Sequence, residues 1–341
     1  MIWQIKMQNF WQKLNKPFFV LAPMADVTDC VFRQIIAKYG KPDVFWTEFV
    51  SADGLAHHIA REKLLIDLKF LKDEHPIVAQ IFGSKPENIK EASKLCAELG
   101  FDGIDINMGC PDKSIEKQGA GAAMIKDPEL AVKIINSAKV GASHLPISVK
   151  TRIGYNKNEI ETWLPILLKQ NISALTVHLR TRKEMSNVPA HWDLMPRIIE
   201  IRNEINPNIL IIGNGDVIDI DDAKKKCQEY GCDGVMLGRA IFGNPFLFSS
   251  LHFENKNVLS EIERQSLENT RDKIITKLKV MILHTNLFEK MLGKYKNFAI
   301  MKKHYKAYAN NFEGAKELRV KLMETKNAKE VEEIVKDFLK N

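Results

Sequence analysis

Apolar residues in the first 240 or so positions come in short runs. Eight runs of four to six residues recur, at Phe18–Ala22, Val44–Thr47, Ile77–Phe82, Gly103–Ile106, Ile147–Lys150, Ala174–His178, Ile209–Gly213 and Gly234–Leu237. Between them the spacing turns helical, at Asp29–Tyr39, Lys85–Leu99, Pro128–Val140, Glu159–Lys169, Leu194–Ile205 and Ile220–Tyr230. In Lys85–Leu99, for example, Ile89, Ala92, Leu95, Cys96 and Leu99 share one face. Val/Ile-rich strands without polar alternation, each followed by a helix, imply parallel pairing with both sheet faces covered. Eight such units fit a (β/α)8 TIM barrel better than an open doubly wound sheet. The open sheet would normally have fewer strands and a glycine fingerprint after the first. Here the first strand runs into Ala22-Pro23-Met24-Ala25 instead.

The pattern changes after Phe253. Proline disappears, glycine remains only at Gly293 and Gly314, and Lys, Glu and Leu dominate. The expectation is an α/β barrel over residues 1–254 and an all-helical C-terminal domain over 255–341, its helices starting near Val258. Charge divides in the same place. Residues 1–254 hold 31 basic and 31 acidic side chains, whereas 255–341 hold 19 and 12, so the whole excess of +7 lies in the tail. That asymmetry suggests an anionic partner such as nucleic acid. From Lys290 to Phe312 six lysines and no acid are interleaved with Tyr295, Phe298, Tyr305 and Tyr308. Such a basic, aromatic face suits an RNA backbone with stacked bases, the bland alternative being a solvated helix whose aromatics pack on the barrel.

Composition excludes several classes. A hydrophobic share of 45% is ordinary for a globular chain. No apolar run approaches the roughly 20 residues of a membrane helix. The N-terminal stretch mixes Gln, Asn and Lys into its apolar residues, unlike a signal-peptide core. Five scattered cysteines, Cys30, Cys96, Cys110, Cys227 and Cys232, suggest reduced thiols and a cytoplasmic protein. Cys227 and Cys232 lack a second Cys/His pair, so no metal site is expected.

In a barrel, chemistry gathers where strands end. Gln80 lies in the third strand, Asn107 and Cys110 follow the fourth, and Lys150 and Arg152 end the fifth. His178 and Arg180 end the sixth, Asn214-Gly215-Asp216 the seventh, and Gly238-Arg239 the eighth. Singly, each has an ordinary explanation: a strand Gln as a satisfied core amide, a strand-end Lys as solvated, a free Cys as inert. Six strands carrying polar groups to one rim are harder to explain that way. Glycines with an arginine on the last two strands mark a place where barrels commonly bind phosphate, so a phosphorylated cofactor is expected. Lys150 would add positive charge beside its ring. On residues alone, Cys110 is open as nucleophile, metal ligand or inert thiol.

The run Ile104-Asp105-Ile106-Asn107-Met108-Gly109-Cys110-Pro111, then Ile115 and Gly121-Ala122, resembles the signature of the tRNA-dihydrouridine synthases. Ala22–Asp29, Thr47-Glu48, Gln80–Gly83, Val149–Gly154, His178–Thr181, Asn214–Asp216 and Gly238-Arg239 match the same family in order. Lys302-Lys303-His304 and Phe312–Ala315 carry the likeness into the tail. The resemblance implies reduction of a tRNA uridine to 5,6-dihydrouridine by FMN, with NADPH as reductant; a monomer is expected. It places FMN against Pro23, Met24, Ala25, Gln80, Lys150 and His178, with Asn214, Gly215, Asp216, Gly238 and Arg239 at the phosphate end. It makes Cys110 the general acid, sets Asn107 and Arg152 near the uracil, and gives Lys302 and Lys303 to the tRNA backbone. Gly119 and Gly121 would leave room beside bound RNA. One departure stands out: after His178 the family usually continues with Gly and a Tyr/Gly loop, whereas Leu179–Trp192 differs, which leaves Arg180 and Arg182 without assigned roles. Rival readings are a flavin barrel acting on a free pyrimidine and an RNA-binding protein without catalysis.

Overall fold

The computed structural model describes residues 9–252 and 270–340. These residues fall into two compact units, the first comprising 9–23, 43–70 and 75–238, the second 24–42, 71–74, 239–252 and 270–340. The expected boundary after residue 254 and the helical start near Val258 lie outside the described residues.

The first unit is a parallel barrel. Its strands are β1 (Phe18–Leu21), β2 (Phe45–Trp46), β3 (Val50–Ser51), β4 (Ile77–Phe82) and β5 (Gly103–Met108), followed by β6 (Ile147–Arg152), β7 (Ala174–His178), β8 (Leu210–Asn214) and β9 (Gly234–Leu237). They pair in the order β1-β9-β8-β7-β6-β5-β4-β2, with β3 also on β4, and a parallel bridge from Val20 to Val44 joins the two ends. The eight expected strand positions are therefore present, the second as β2, and the short β3 beyond it comes in addition. Between β2 and β3 the Gln80 backbone N–H donates to the Thr47 hydroxyl at 3.1 Å, so side chain replaces backbone in the ladder there. Within this unit the expected helices form at Pro86–Glu98, Pro128–Gly141, Ile160–Leu168, Met195–Ile205 and Ile220–Tyr230. Short helices at Ala52–Ala56, His58–Leu64 and Lys113–Glu116 come in addition.

Alternate residues of each strand share a face. On the inward face the lower positions are apolar: Phe18, Val20, Val44, Trp46, Val78, Ala174, Leu210, Ile212 and Met236 form one buried cluster with Trp11. Two residues further along the same lines the side chains turn polar, to Gln80, Thr176, His178 and Asn214. On β5 and β6 they are Asp105, Asn107, Ser148 and Lys150. The barrel thus has an apolar floor and a polar mouth.

In the second unit the helix Cys30–Tyr39 is capped by Asp29, whose carboxylate accepts from Val31 and Phe32 N–H, each at 2.9 Å. Its Arg33 is buried against Glu74 and donates to the Thr28 carbonyl at 2.6 Å. The C-terminal helices are Thr270–Leu292, Met301–Tyr308, Ala315–Glu324 and Ala328–Lys340. In Met301–Tyr308 the buried residues are Met301, His304, Tyr305 and Tyr308, one helical face. This corrects the expectation of an aromatic face for stacking: Tyr305 and Tyr308 are both fully buried, while Tyr295 is 66% exposed.

Candidate active site

The strand register sets Asn107 opposite Lys150, Arg152 opposite His178, and His178 opposite Asn214. Gln80, Asn107, Lys150, His178 and Asn214 therefore meet at one end of the barrel, and Cys110 follows directly after β5. Pro23, Gly215, Asp216 and Gly238 lie just past their strands in the same unit. Met24, Ala25, Arg239, Lys302 and Lys303 belong to the second unit. There the Met24 N–H donates to the Thr28 hydroxyl at 2.9 Å, and Lys303 pairs with Asp26 at 3.0 Å.

The loop bearing Cys110 is held from below and behind. Asn107 Oδ1 accepts from the backbone N–H groups of Gly109 and Cys110, at 3.1 and 2.9 Å. The Cys110 carbonyl accepts from Ala122 N–H at 2.9 Å. Gly121 lies in the left-handed region at φ +62°, and a Cβ on it would stand 2.7 Å from the Cys110 carbonyl oxygen. The glycine is required by this close approach, which accounts for it without bound RNA. Burial is the main influence on the Cys110 thiol and pushes its pKa up, against smaller opposing pulls from the Asp112 N–H, Lys150 and Arg152. A raised pKa keeps the proton on sulfur at neutral pH, where the group can act as an acid.

Lys150 donates to Asn214 Oδ1 at 3.3 Å, and Asn214 in turn donates to the Met236 carbonyl at 2.8 Å. Burial lowers the Lys150 pKa to about 8, helped by the Arg152 charge and opposed by Asp105. On the neighbouring strand, the Thr176 hydroxyl is buried with no partner among the described residues. An ammonium with one amide acceptor, beside an orphaned hydroxyl and the imidazole of His178, forms a donor-rich mouth suited to an anionic or carbonyl-rich ring. His178 Nε2 faces the Arg180 guanidinium at 3.3 Å. Arginine only donates, so Nε2 accepts and the imidazole carries its proton on Nδ1.

Three arginines tie the divergent loop to this rim. Arg152, 6% exposed, donates Nε–H to the Gly109 carbonyl at 2.7 Å and Nη1–H to the Thr181 and Met185 carbonyls at 3.1 Å each. Arg180 donates to the Val188 carbonyl at 2.6 Å and pairs with Asp216. Asp216 also accepts from Ala190 N–H at 2.9 Å. Its carboxylate thus anchors the loop, and any anion held at this corner would meet backbone rather than that side chain. Gly215, at φ +133°, leaves space that a Cβ would close to 2.7 Å from Ala190 Cβ. Arg182 pairs with Glu116 and lies over the Tyr155 ring at 5.4 Å. Sequence reasoning left Arg180 and Arg182 unassigned and missed Asp105, Ser148, Glu116 and Asp216 as structural partners. The one available signal was a carboxylate inside the buried run Ile104-Asp105-Ile106. Among the described residues no group of three or more His, Cys, Asp or Glu is placed to hold a metal ion.

A closed parallel barrel with a protonated thiol, a half-buried lysine and a neutral imidazole converging on its strand ends defines a (β/α)8-barrel enzyme. The family model described as Dihydrouridine synthase (Dus) matches residues 20–341. A protein of Bacillus subtilis (strain 168) named Probable tRNA-dihydrouridine synthase 2 is 42% identical over 333 residues, covering 97% of each chain. A Probable tRNA-dihydrouridine synthase of Staphylococcus aureus (strain Mu50 / ATCC 700699) is 41% identical, covering 97% of this chain and 96% of its own. The solved structure of 6-hydroxypseudooxynicotine amine oxidase from Pseudomonas geniculata N1 shares the fold, with a TM-score of 0.52 at 11% identity over 77% of this chain and 50% of that one. The chain belongs to the dihydrouridine synthase family of oxidoreductases.

Proposed function

We propose that this protein reduces a uridine in tRNA to 5,6-dihydrouridine, with FMN as bound cofactor and NADPH as the reductant that recharges it. The observation that carries the reading is a protonated thiol, Cys110, on a loop fixed beside the donor-rich barrel mouth. The mouth fits a flavin through its donor set. Gln80, Lys150 and His178 would face the ring, with Pro23, Met24 and Ala25 contributing backbone. Asn214, Gly215, Asp216, Gly238 and Arg239 would serve the phosphate end, Asp216 through its backbone. When bound, FMN supplies the hydride that the 5,6 double bond of uracil takes up at carbon 6.

The remaining work falls to the chain. As carbon 6 accepts hydride, negative charge develops toward carbon 5, and Cys110 delivers the proton there. Asn107 and Arg152 hold the thiol loop, and the Arg152 charge favours the electron-rich uracil. Three of the five Arg152 N–H bonds are already made to backbone carbonyls, so its part is more in positioning than in gripping the base. The uracil must leave any stack to reach the mouth, which favours an unpaired site in the tRNA. Lys303, opposite the buried face of its helix, and Lys302, half-buried at the edge of that face, would contact the RNA backbone. A cytoplasmic protein, monomeric and without metal, fits this reading. Among the described residues no helix is long and apolar enough to cross a membrane.

Replacing Cys110 by alanine tests the assignment. The variant should bind FMN and accept electrons from NADPH normally, followed by flavin bleaching, yet form dihydrouridine at a rate lower by roughly 100-fold or more. A parental rate of dihydrouridine formation would remove Cys110 from the role.

A further inference from the structure

The amide chain that ends at the Cys110 loop begins at a carboxylate, and its two ends fix everything between. The backbone N–H groups of Gly109 and Cys110 can only donate, so the Asn107 oxygen must face them. The Asn107 nitrogen then faces Gln80 Oε1, at 3.0 Å. Gln80 Nε2 donates to Asp105 Oδ2 at 2.6 Å, and Asp105 Oδ1 accepts from the Ser148 hydroxyl at 2.6 Å. Asp105 and Gln80 are fully buried and Asn107 is 5% exposed, so water does not substitute for a lost link. A flipped Gln80 would set oxygen against the Asp105 carboxylate and NH2 against the Asn107 NH2. The carboxylate forbids the flip.

We propose that Asp105 is a positioning residue for the reaction: acting through Gln80 and Asn107, it sets the amide polarity that holds the Cys110 loop in place. This rests on the reading of Cys110 as proton donor. The chain runs through two residues whose side chains face the barrel mouth, so one buried acid orients both the ring-side amide of Gln80 and the thiol loop. Ser148 completes the acid from the neighbouring strand, and its hydroxyl can reverse its role, because the Ile104 carbonyl lies 3.4 Å away to accept its proton. That reversal makes a specific rescue available. In Asp105→Asn the amide oxygen can face Gln80 while its nitrogen donates to Ser148 Oγ, and the chain survives. In Asp105→Leu, of similar volume, Gln80 loses the group that orients it.

The test compares Asp105→Asn with Asp105→Leu as FMN-loaded full chains. It measures kcat and KM for dihydrouridine formation in tRNA, normalised to bound flavin, and the pH dependence of Cys110 alkylation by iodoacetamide. Asp105→Asn should keep kcat and the alkylation profile close to the parent's. Asp105→Leu should lose kcat on the order of 10- to 100-fold at unchanged KM, the scale expected when a reacting group is misplaced by about 1 Å. Its alkylation profile should shift as well. A folded Asp105→Leu protein with parental kcat and alkylation, or an Asp105→Asn protein as defective as Asp105→Leu, overturns the proposal. If Asp105→Leu does not fold, Gln80→Met cuts the same chain one link nearer the thiol, and parental alkylation in that variant overturns it equally. A fully active Cys110→Ala protein alongside a shifted alkylation profile in Asp105→Leu would sink the proton-donor reading while leaving the positioning of the loop intact.

Discussion

An ammonium group in a barrel mouth is poorly solvated, and Lys150 shows this as a pKa held down to about 8 by burial. The sign has two consequences. Below that value the side chain is charged and can face an anionic ring; above it the charge is lost, so kcat/KM should fall on an alkaline limb at pH 8 or higher. Lys150→Arg, which stays charged, should remove that limb. Stability moves the other way. In the unfolded chain the lysine titrates near 10.4, so between about pH 8 and 10 the unfolded state binds more protons and this group's contribution to folding rises with pH. Thermal unfolding of the cofactor-free protein and of Lys150→Met over that range should diverge at the acid end and converge toward pH 10. Parallel curves would show that Lys150 is not buried as described. The Asp105 carboxyl is raised to about 6 by the same cause, so it is a carboxylate at neutral pH, as the amide chain requires.

At the scale of elements, two loops rather than two strands shape the rim. The Cys110 loop and the loop Leu179–Trp192 are joined by Arg152 to both and by Arg182 to Glu116. Arg182 and Glu116 are partly exposed, so their pair contributes about 1 kcal/mol. Arg182→Ala should therefore speed amide hydrogen exchange over residues 180–190 roughly fivefold, with the barrel strands unaffected. Unchanged exchange there would mean that Arg152 and Arg180 hold the loop unaided. This is also where the sequence was least legible. The strands could be read because a parallel strand covered on both faces is a continuous apolar run. Arg152 and Arg180, however, bond to backbone carbonyls of Thr181, Met185 and Val188, and a carbonyl has no letter in the sequence. Asp105 could be seen only as part of a motif, although a charged residue between Ile104 and Ile106 was itself a signal. Tyr305 and Tyr308 were misjudged for a different reason. Composition counts aromatics without saying which side of the helix they occupy, whereas the spacing of Met301, His304, Tyr305 and Tyr308 marks one buried stripe.

For the whole molecule, the uneven charge is the feature to test against RNA. Lys303 projects from the helix Met301–Tyr308 opposite its buried stripe, with Lys302 half-buried at the stripe's edge, and the exposed pair between Lys303 and Asp26 is weak enough to be exchanged for phosphate. If both lysines meet tRNA phosphates, their replacement by alanine should reduce the slope of log K against log salt by roughly 1 to 2. The binding defect should be largest at low salt and shrink as salt rises. A weaker but parallel salt series would mean that the two lysines act through folding instead.

The apolar floor and polar mouth of the barrel lie on the same inward lines, two residues apart on most strands. Folding depends mainly on the lower tier, where Trp11, Trp46, Val78, Ile212 and Met236 pack together, and chemistry on the upper one. Random mutation therefore meets two separate filters. A change in the floor is removed because the protein does not accumulate, whatever it does to the reaction. A change at the mouth alters what is reduced, or how fast, in a barrel that still folds. Where a mouth residue also ties down a buried charge, as Gln80 does for Asp105, the two filters overlap, and drift there must be matched by compensating stability.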